Sequence, residues 1–243
     1  MAALNSPYLS RAQLLLGDEG MRRLASARIL LVGVGGVGSW CAEGLVRSGI
    51  RQLTLVDGDQ VVPSNVNRQL MALPGTVGQL KVEALKAHLL AVAPDAEIIA
   101  RAERFNAETA ESFDLESFDV IVDAIDSLKD KAELILRATA AEHPRLYSSM
   151  GAALKVDPRR IRVAEFWDVR GCPLGAALRK KLRKAKTLPS RPFPCVYGDE
   201  LRENRGSQDE IQGNVNGTLL PITGIFGFTL AGLIIQDLVD ASE

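Results

Sequence analysis

The sequence predicts an α/β protein: a Rossmann-like, doubly wound, mostly parallel sheet with an antiparallel C-terminal extension. Three observations carry that prediction. A glycine-rich turn, LVGVGGVGSW (31–40), joins an apolar run to a helical pattern. The apolar runs are near-continuous Leu, Ile and Val, as strands covered on both faces require. Up to about residue 150, such runs alternate with segments of helical periodicity.

The elements follow in order. Residues 8–26 read as a helix with Leu14, Leu15, Leu16, Met21 and Leu24 on an apolar side. Ile29–Val32 is a buried strand, and a helix runs from about Val37 to Ser48, where Gly49 stops it. QLTLVDGD supplies the second strand and completes a βαβ unit. A polar loop (58–67), a helix at about 78–92 and a strand at 97–102 come next. FDVIVDAID (118–126) is a buried strand ending in acidic residues, followed by a helix at 131–142 and a strand at 145–149. Beyond Gly151, AALKVDPRRIRVAEF predicts an antiparallel hairpin turning at Asp157–Pro158, then a basic helix and a proline-rich loop. The closing run, TLLPITGIFGFTLAGLIIQ, is long enough to suggest a membrane span. Pro221, Gly224, Gly227 and Gly232 interrupt it and no Lys or Arg flanks it, so a buried strand-turn-helix is expected and no membrane partner.

Composition narrows the function classes. A formal net charge of -1 excludes a protein that is basic throughout, so nucleic acid would have to bind a local patch. The 3 cysteines, Cys41, Cys172 and Cys195, are odd in number and lack C-x-x-C spacing, which argues against a disulfide framework or structural zinc and for a reducing cytoplasm. The N-terminus has no basic stretch followed by an apolar run, so no secretory signal is expected.

The candidate chemistry begins at Gly33-x-Gly35-x-x-Gly38, between a strand and a helix. There glycines let backbone N–H groups approach a phosphate at a helix N-terminus. Asp57 ends the next strand, where a carboxylate accepts hydrogen bonds from ribose hydroxyls. These features are shared with NAD dehydrogenases and do not choose between hydride and nucleotidyl transfer. The loop DGDQVVPSNVNRQLM adds Asp59, Asn65, Asn67 and Arg68, and Lys81 follows shortly. Two cations and several amides exceed what a pyrophosphate needs and suit a triphosphate. Asp126, at the carboxyl edge of the sheet, is the expected Mg²⁺ ligand.

SRAQLLLG, GVGGVGS, LVDGDQVVPSNVNRQ, GQLKVEAL and VDAIDS, in this order, resemble the E1-like adenylating superfamily, which activates carboxylates as acyl-adenylates. The resemblance implies a single adenylating domain over 1–243, with a nucleotide-binding core at 8–150 and a substrate-facing part with a closing helix at 151–243. It implies that Gly35, Gly36 and Gly38 form the nucleotide turn, that Asp57 binds the ribose, that Asp59, Asn65, Arg68 and Lys81 line the phosphate path, and that Asp126 binds the metal. Arg11, in YLSRAQ, is similar to an arginine that dimers of this superfamily insert into the partner's site, so a homodimer with Arg11 acting in trans is expected.

DVRGCPLGAALRKKLRK, FPCVYGDE and the terminal IFGF are similar to the tRNA threonylcarbamoyladenosine dehydratases. That resemblance implies ATP-dependent cyclisation of the modified adenosine at position 37 of a tRNA. Residues 169–198 hold 8 Lys or Arg and no Asp or Glu, and Leu174, Leu178 and Leu182 put the cations on an outer face. Arg179, Lys180, Lys181, Arg183, Lys184 and Lys186 are therefore the candidate tRNA-binding residues. A glycine-rich cysteine segment expected before the last helix reads GNVNGTLLPITG here, and the stretch between Arg202 and Asn216 is short.

Two rival readings remain open at this stage. One is adenylation of the C-terminal glycine of a ubiquitin-like sulfur carrier, although the paired C-x-x-C motifs usual there are missing. The other is a nicotinamide-dependent dehydrogenase or a nucleotide-binding module without turnover. A thioester role for Cys172 or Cys195, a monovalent cation near the loop after Ser149 and a sulfur-relay partner are likewise left open.

Overall fold

The computed structural model describes residues 7–206 and 216–240. Seven strands form one sheet: β1 (Arg28–Val32), β2 (Gln52–Val56), β3 (Glu97–Arg101), β4 (Val120–Asp123), β5 (Arg145–Ser149), β6 (Ile161–Glu165) and β7 (Pro194–Gly198). Their order is β3-β2-β1-β4-β5-β7-β6, parallel throughout except for β6 against β7. The chain winds outward from β1 to β3 and then returns to lay β4 on the other side of β1. The crevice at the carboxyl ends of β1 and β4 is the switch point where ligands bind in such sheets.

Among the described residues, six α-helices cover the sheet: α1 (Ser10–Ser26), α2 (Gly38–Ser48), α3 (Lys81–Val92), α4 (Leu128–Ala140), α5 (Pro173–Ala185) and α6 (Leu220–Val239). One core lies beneath α1, α2, α3 and α6, and a second beneath α4 and α5. Leu30 and Leu31 of β1 point into opposite cores and both are fully buried, which explains the unbroken apolar run.

The structure corrects two of the expected elements. The hairpin at Asp157–Pro158 does not form. Val156 and Asp157 donate their N–H groups to the Glu200 carboxylate, and Pro158–Arg160 is a 3-10 turn. The antiparallel partner of β6 is instead β7, with Val163 opposite Val196. The closing segment is not strand-turn-helix but one helix, α6, because its interruptions act otherwise than as breaks. Pro221 sits in the first turn, where its missing N–H costs nothing. Gly227 is a contact surface: a Cβ there would lie 2.6 Å from the carbonyl oxygen of Val37. By length and composition α6 is apolar enough to cross a membrane, yet Ile222, Phe226, Leu230 and Ile234 are its core face.

Smaller differences have local causes. Gly17 takes φ 70°, ψ 171° and kinks α1. The strand expected at 118–126 stops at Asp123, whose carboxylate accepts the N–H of Ile125 and turns the chain. Helix α4 starts at Leu128 because the Ser127 hydroxyl caps it by accepting the Asp130 N–H at 3.4 Å. Most of the short stretch expected between Arg202 and Asn216 lies outside the described residues.

Glu200 ties this region to pH. Its carboxylate accepts two backbone N–H groups and pairs with Arg202, which holds its pKa at about 2 against an ordinary 4.5. A depressed carboxylate pKa contributes stability above the unfolded value that is lost as pH falls through the folded one. Glu200→Gln should therefore lower Tm relative to wild type above pH 4.5, and the difference should shrink as pH approaches 2, read from melting curves of both proteins across that range.

Candidate active site

The turn after β1 is built by steric demand. Gly33 adopts φ 92°, and a Cβ there would lie 2.6 Å from the carbonyl oxygen of Ala124 at the exit of β4. A Cβ on Gly38 would lie 1.8 Å from the carbonyl oxygen of Gly33. Side chains are excluded at both positions. The amides of Gly35 and Gly36 donate to no protein acceptor among the described residues, and α2 begins at Gly38. Free amides at a helix N-terminus form an anion site.

Asp57 shapes this turn from β2. One oxygen accepts the Val34 N–H at 3.0 Å and the other the Asp59 N–H at 2.9 Å. Burial raises its pKa, with Lys81 opposing. Each oxygen keeps a second lone pair, so the carboxylate can still accept ribose hydroxyls. Asp59 receives the Lys81 ammonium at 2.9 Å and the Arg104 guanidinium at 2.7 Å. Burial pushes the Asp59 carboxyl up, but those hydrogen bonds outweigh it and hold the group below its ordinary value. Asn65 is buried and accepts the Val62 N–H at 3.2 Å, which fixes the loop that carries Arg68.

Arg68 is half-buried. Its guanidinium donates to the Ser64 carbonyl at 2.8 Å and to Asn67 Oδ1 at 2.9 Å. Burial lowers its pKa and the Asp126 carboxylate opposes that; the Arg68 side chain itself lies against the turn, where a Cβ on Gly36 would be 3.4 Å from its Cγ. Asp126 is exposed and makes no ion pair or hydrogen bond among the described residues. A lone free carboxylate fits Mg²⁺, which commonly takes one or two carboxylates together with substrate phosphates and waters. Arg11, exposed on α1, likewise has no ion-pair or hydrogen-bond partner among the described residues.

Several contributors were not among the sequence candidates. Ser39 clips the Arg68 loop to the turn: its hydroxyl donates to the Gly35 carbonyl at 2.7 Å and accepts the Leu70 N–H at 3.2 Å. Trp40 Nε1 donates to the Arg68 carbonyl at 3.0 Å. Gln69 packs beside Gly35, and its buried side-chain oxygen has no partner among the described residues. Behind Asp126, the fully buried Lys131 ammonium meets Asp123 at 2.6 Å, and the Ser148 hydroxyl donates to the same carboxylate oxygen. Lys131 was readable: with Leu134, Ile135 and Ala138 it falls on the buried stripe of α4, where a charge needs a partner.

The six candidate tRNA-binding cations divide. Arg179 donates to the Phe166 carbonyl at 3.2 Å, and Arg183 sits over the Trp167 ring at 5.1 Å. Lys186 caps α5 in the left-handed conformation. Lys180, Lys181 and Lys184 are exposed and have no partner among the described residues. Cys41, Cys172 and Cys195 are free and buried, and burial raises the thiol pKa of Cys41 and Cys195. Cys195 lies within β7, not in an open loop. By the loop after Ser149, the carbonyls of Ala153 and Glu200 take the Lys155 ammonium, at 3.4 and 2.7 Å.

The ThiF family profile matches residues 9–242. The chain belongs to the ThiF family. Among ThiF relatives, the tRNA threonylcarbamoyladenosine dehydratase of Bacillus subtilis is 35% identical over 246 residues, spanning 96% of this chain and 95% of that one. The tRNA threonylcarbamoyladenosine dehydratase of Haemophilus influenzae is 31% identical and spans 91% and 89%. The crystal structure of the E. coli tRNA N6-threonylcarbamoyladenosine dehydratase, TcdA, in complex with ATP superposes with a TM-score of 0.85 at 29% identity, covering 95% of this chain and 93% of that chain.

The Ser39 clip gives a stability test. Ser39→Ala leaves the Leu70 N–H without its acceptor and should cost about 1 to 3 kcal/mol, read by chemical denaturation; an unchanged midpoint would show that the clip carries no load.

Proposed function

We propose that this ThiF-family protein is an ATP-dependent tRNA threonylcarbamoyladenosine dehydratase. The observation that carries the reading is the packing of Arg68 against Gly36 beside the open amides of the glycine turn, in a chain that aligns over nearly its whole length with dehydratases of that name. A nicotinamide dinucleotide needs little beyond its pyrophosphate, and cations at Arg68 and Lys81 suit a triphosphate better. Adenylation of a sulfur-carrier protein has no specific observation in its favour.

ATP binds with its phosphates on the turn and its ribose at Asp57. The substrate's carboxylate oxygen attacks the α-phosphorus, the bond to the β-phosphate oxygen breaks, and pyrophosphate leaves. A nitrogen of the same threonylcarbamoyl group then attacks the activated carbonyl carbon. AMP departs with the bonding pair, the nitrogen loses its proton, and the net change in the nucleoside is loss of water. Arg68 and Lys81 neutralise charge on the departing pyrophosphate, which is the largest single contribution such a site can make. Lys81 reaches that role by leaving Asp59, whose second cation, Arg104, keeps the carboxylate neutralised. Mg²⁺ held by Asp126 would supply further charge neutralisation on the phosphates. No cysteine is needed, in keeping with three buried thiols.

The assembly belongs to the same proposal. Tyr8, Leu14 and Leu15 of the N-terminal segment are 86%, 87% and 83% exposed around Arg11, an apolar surface suited to a second copy that would bring Arg11 to the partner's phosphates. A reducing cytoplasm suits the free cysteines.

Arg68→Ala should reduce substrate-dependent ATP–pyrophosphate exchange by 10²-fold or more, on the order of the loss when a charge-stabilising donor is removed, with an unchanged circular dichroism spectrum. Exchange at the wild-type rate would remove Arg68 from the chemistry.

A further inference from the structure

A groove of about 570 Å³ lies between the first turn of α4 and the outer face of α5. Leu128, Ala177 and Ala185 give it an apolar lining, and Lys180, Lys181 and Lys184 a cationic one. Two features set it apart from an ordinary solvated helix face. Its three ammonium groups have no acidic partner among the described residues, although ion pairs are frequent elsewhere on this surface. It also adjoins the site: Leu128 opens α4 two positions after Asp126, and Ser127 between them is the helix cap.

The chemistry of the groove selects its occupant. At i, i+3 and i, i+4 spacing the lysines stand along one side of α5, so they present a row of charge instead of a point. A row of cations matches successive phosphates of a strand, and the apolar lining can take sugar or base surface beside them. A free nucleotide triphosphate has no claim here, since its turn is built at the other end of the Asp126 loop.

We propose that the α4–α5 groove holds the nucleotide that flanks the reacting adenosine in the RNA, its backbone phosphates on Lys180, Lys181 and Lys184. The inference rests on the RNA-modifying reading and deepens it. The groove would then measure the distance from a backbone phosphate to the carboxyl group at Asp126, and substrate selection would act through RNA shape near the modified base.

The test compares two substrates: an anticodon stem-loop carrying threonylcarbamoyladenosine, and the free modified nucleoside. The combined variant Lys180→Glu, Lys181→Glu, Lys184→Glu should raise KM for the stem-loop on the order of tenfold or more, with kcat little changed. It should also make the logarithmic salt dependence of stem-loop binding shallower by about 2 to 3, near one unit per lost phosphate contact. The KM for the nucleoside should move far less, and replacing the same three lysines by arginine should keep stem-loop KM near wild type. Melting curves of all variants check that the surface changes leave the fold intact. If the wild-type protein cyclises the stem-loop but charge reversal leaves its KM and salt slope unmoved, the groove assignment is wrong and the lysines serve another partner, such as an acidic protein. If the wild-type protein cyclises neither substrate, the RNA-modifying reading falls and takes the groove with it.

Discussion

The site depends on one close approach, where the turn leaving β1 touches the chain leaving β4. A glycine with φ 92° at Gly33 and a backbone contact at Ala124 make that approach possible. Everything of chemical interest is then positioned from one side of the contact or the other. The Arg68 loop hangs from the β1 side through Ser39 and Trp40. Asp126 projects from the β4 side, where Asp123, Lys131 and Ser148 tie the base of its loop. The sheet reverses its winding between these two strands, so the turn lies at the switch-point crevice, and the Gly35 and Gly36 amides have no protein acceptor among the described residues.

The charges around the crevice are stored in pairs. Lys81 and Arg104 both sit on Asp59, and Arg68 rests on carbonyl and amide oxygens of its own loop. A cation held this way is already oriented and partly desolvated, so a phosphate that replaces its partner gains a charge-assisted bond with little reorganisation. Arg104 explains why Asp59 can release Lys81 without leaving an uncompensated carboxylate. The buried Asp123–Lys131 pair is different in kind. It is closed to ligands, and its contribution is to hold a turn in place, since removing either charge would strand the other in the core.

The β1–turn–α2 unit was legible in the sequence because its constraint is local: glycine spacing, an apolar run and a helical pattern all fall within residues 29–48. The loop residues around Arg68 were legible as a chemical set, though the sequence did not reveal what each one touches. Arg104 was not legible, since it meets Asp59 across 45 residues and no short motif links them. The closing helix was misread because glycine has two meanings. In Gly227 it marks backbone packed against a neighbouring helix, where the same letter in isolation suggests a break. The expected hairpin failed for a similar reason: Glu200, far along the chain, captures the N–H groups that a local strand pair would have used.

In the proposed function the open turn, Arg68, Lys81 and Asp126 form one triphosphate site. A crystal structure of this protein with ATP and Mg²⁺ tests it most directly. The expected complex has phosphate oxygens within hydrogen-bonding distance of the Gly35 and Gly36 amides, of Arg68 and of a Lys81 that has left Asp59, with the metal on Asp126. A nucleotide bound with Arg68 and Asp126 remote from its phosphates, or with Lys81 still paired to Asp59 and turned away, would contradict it.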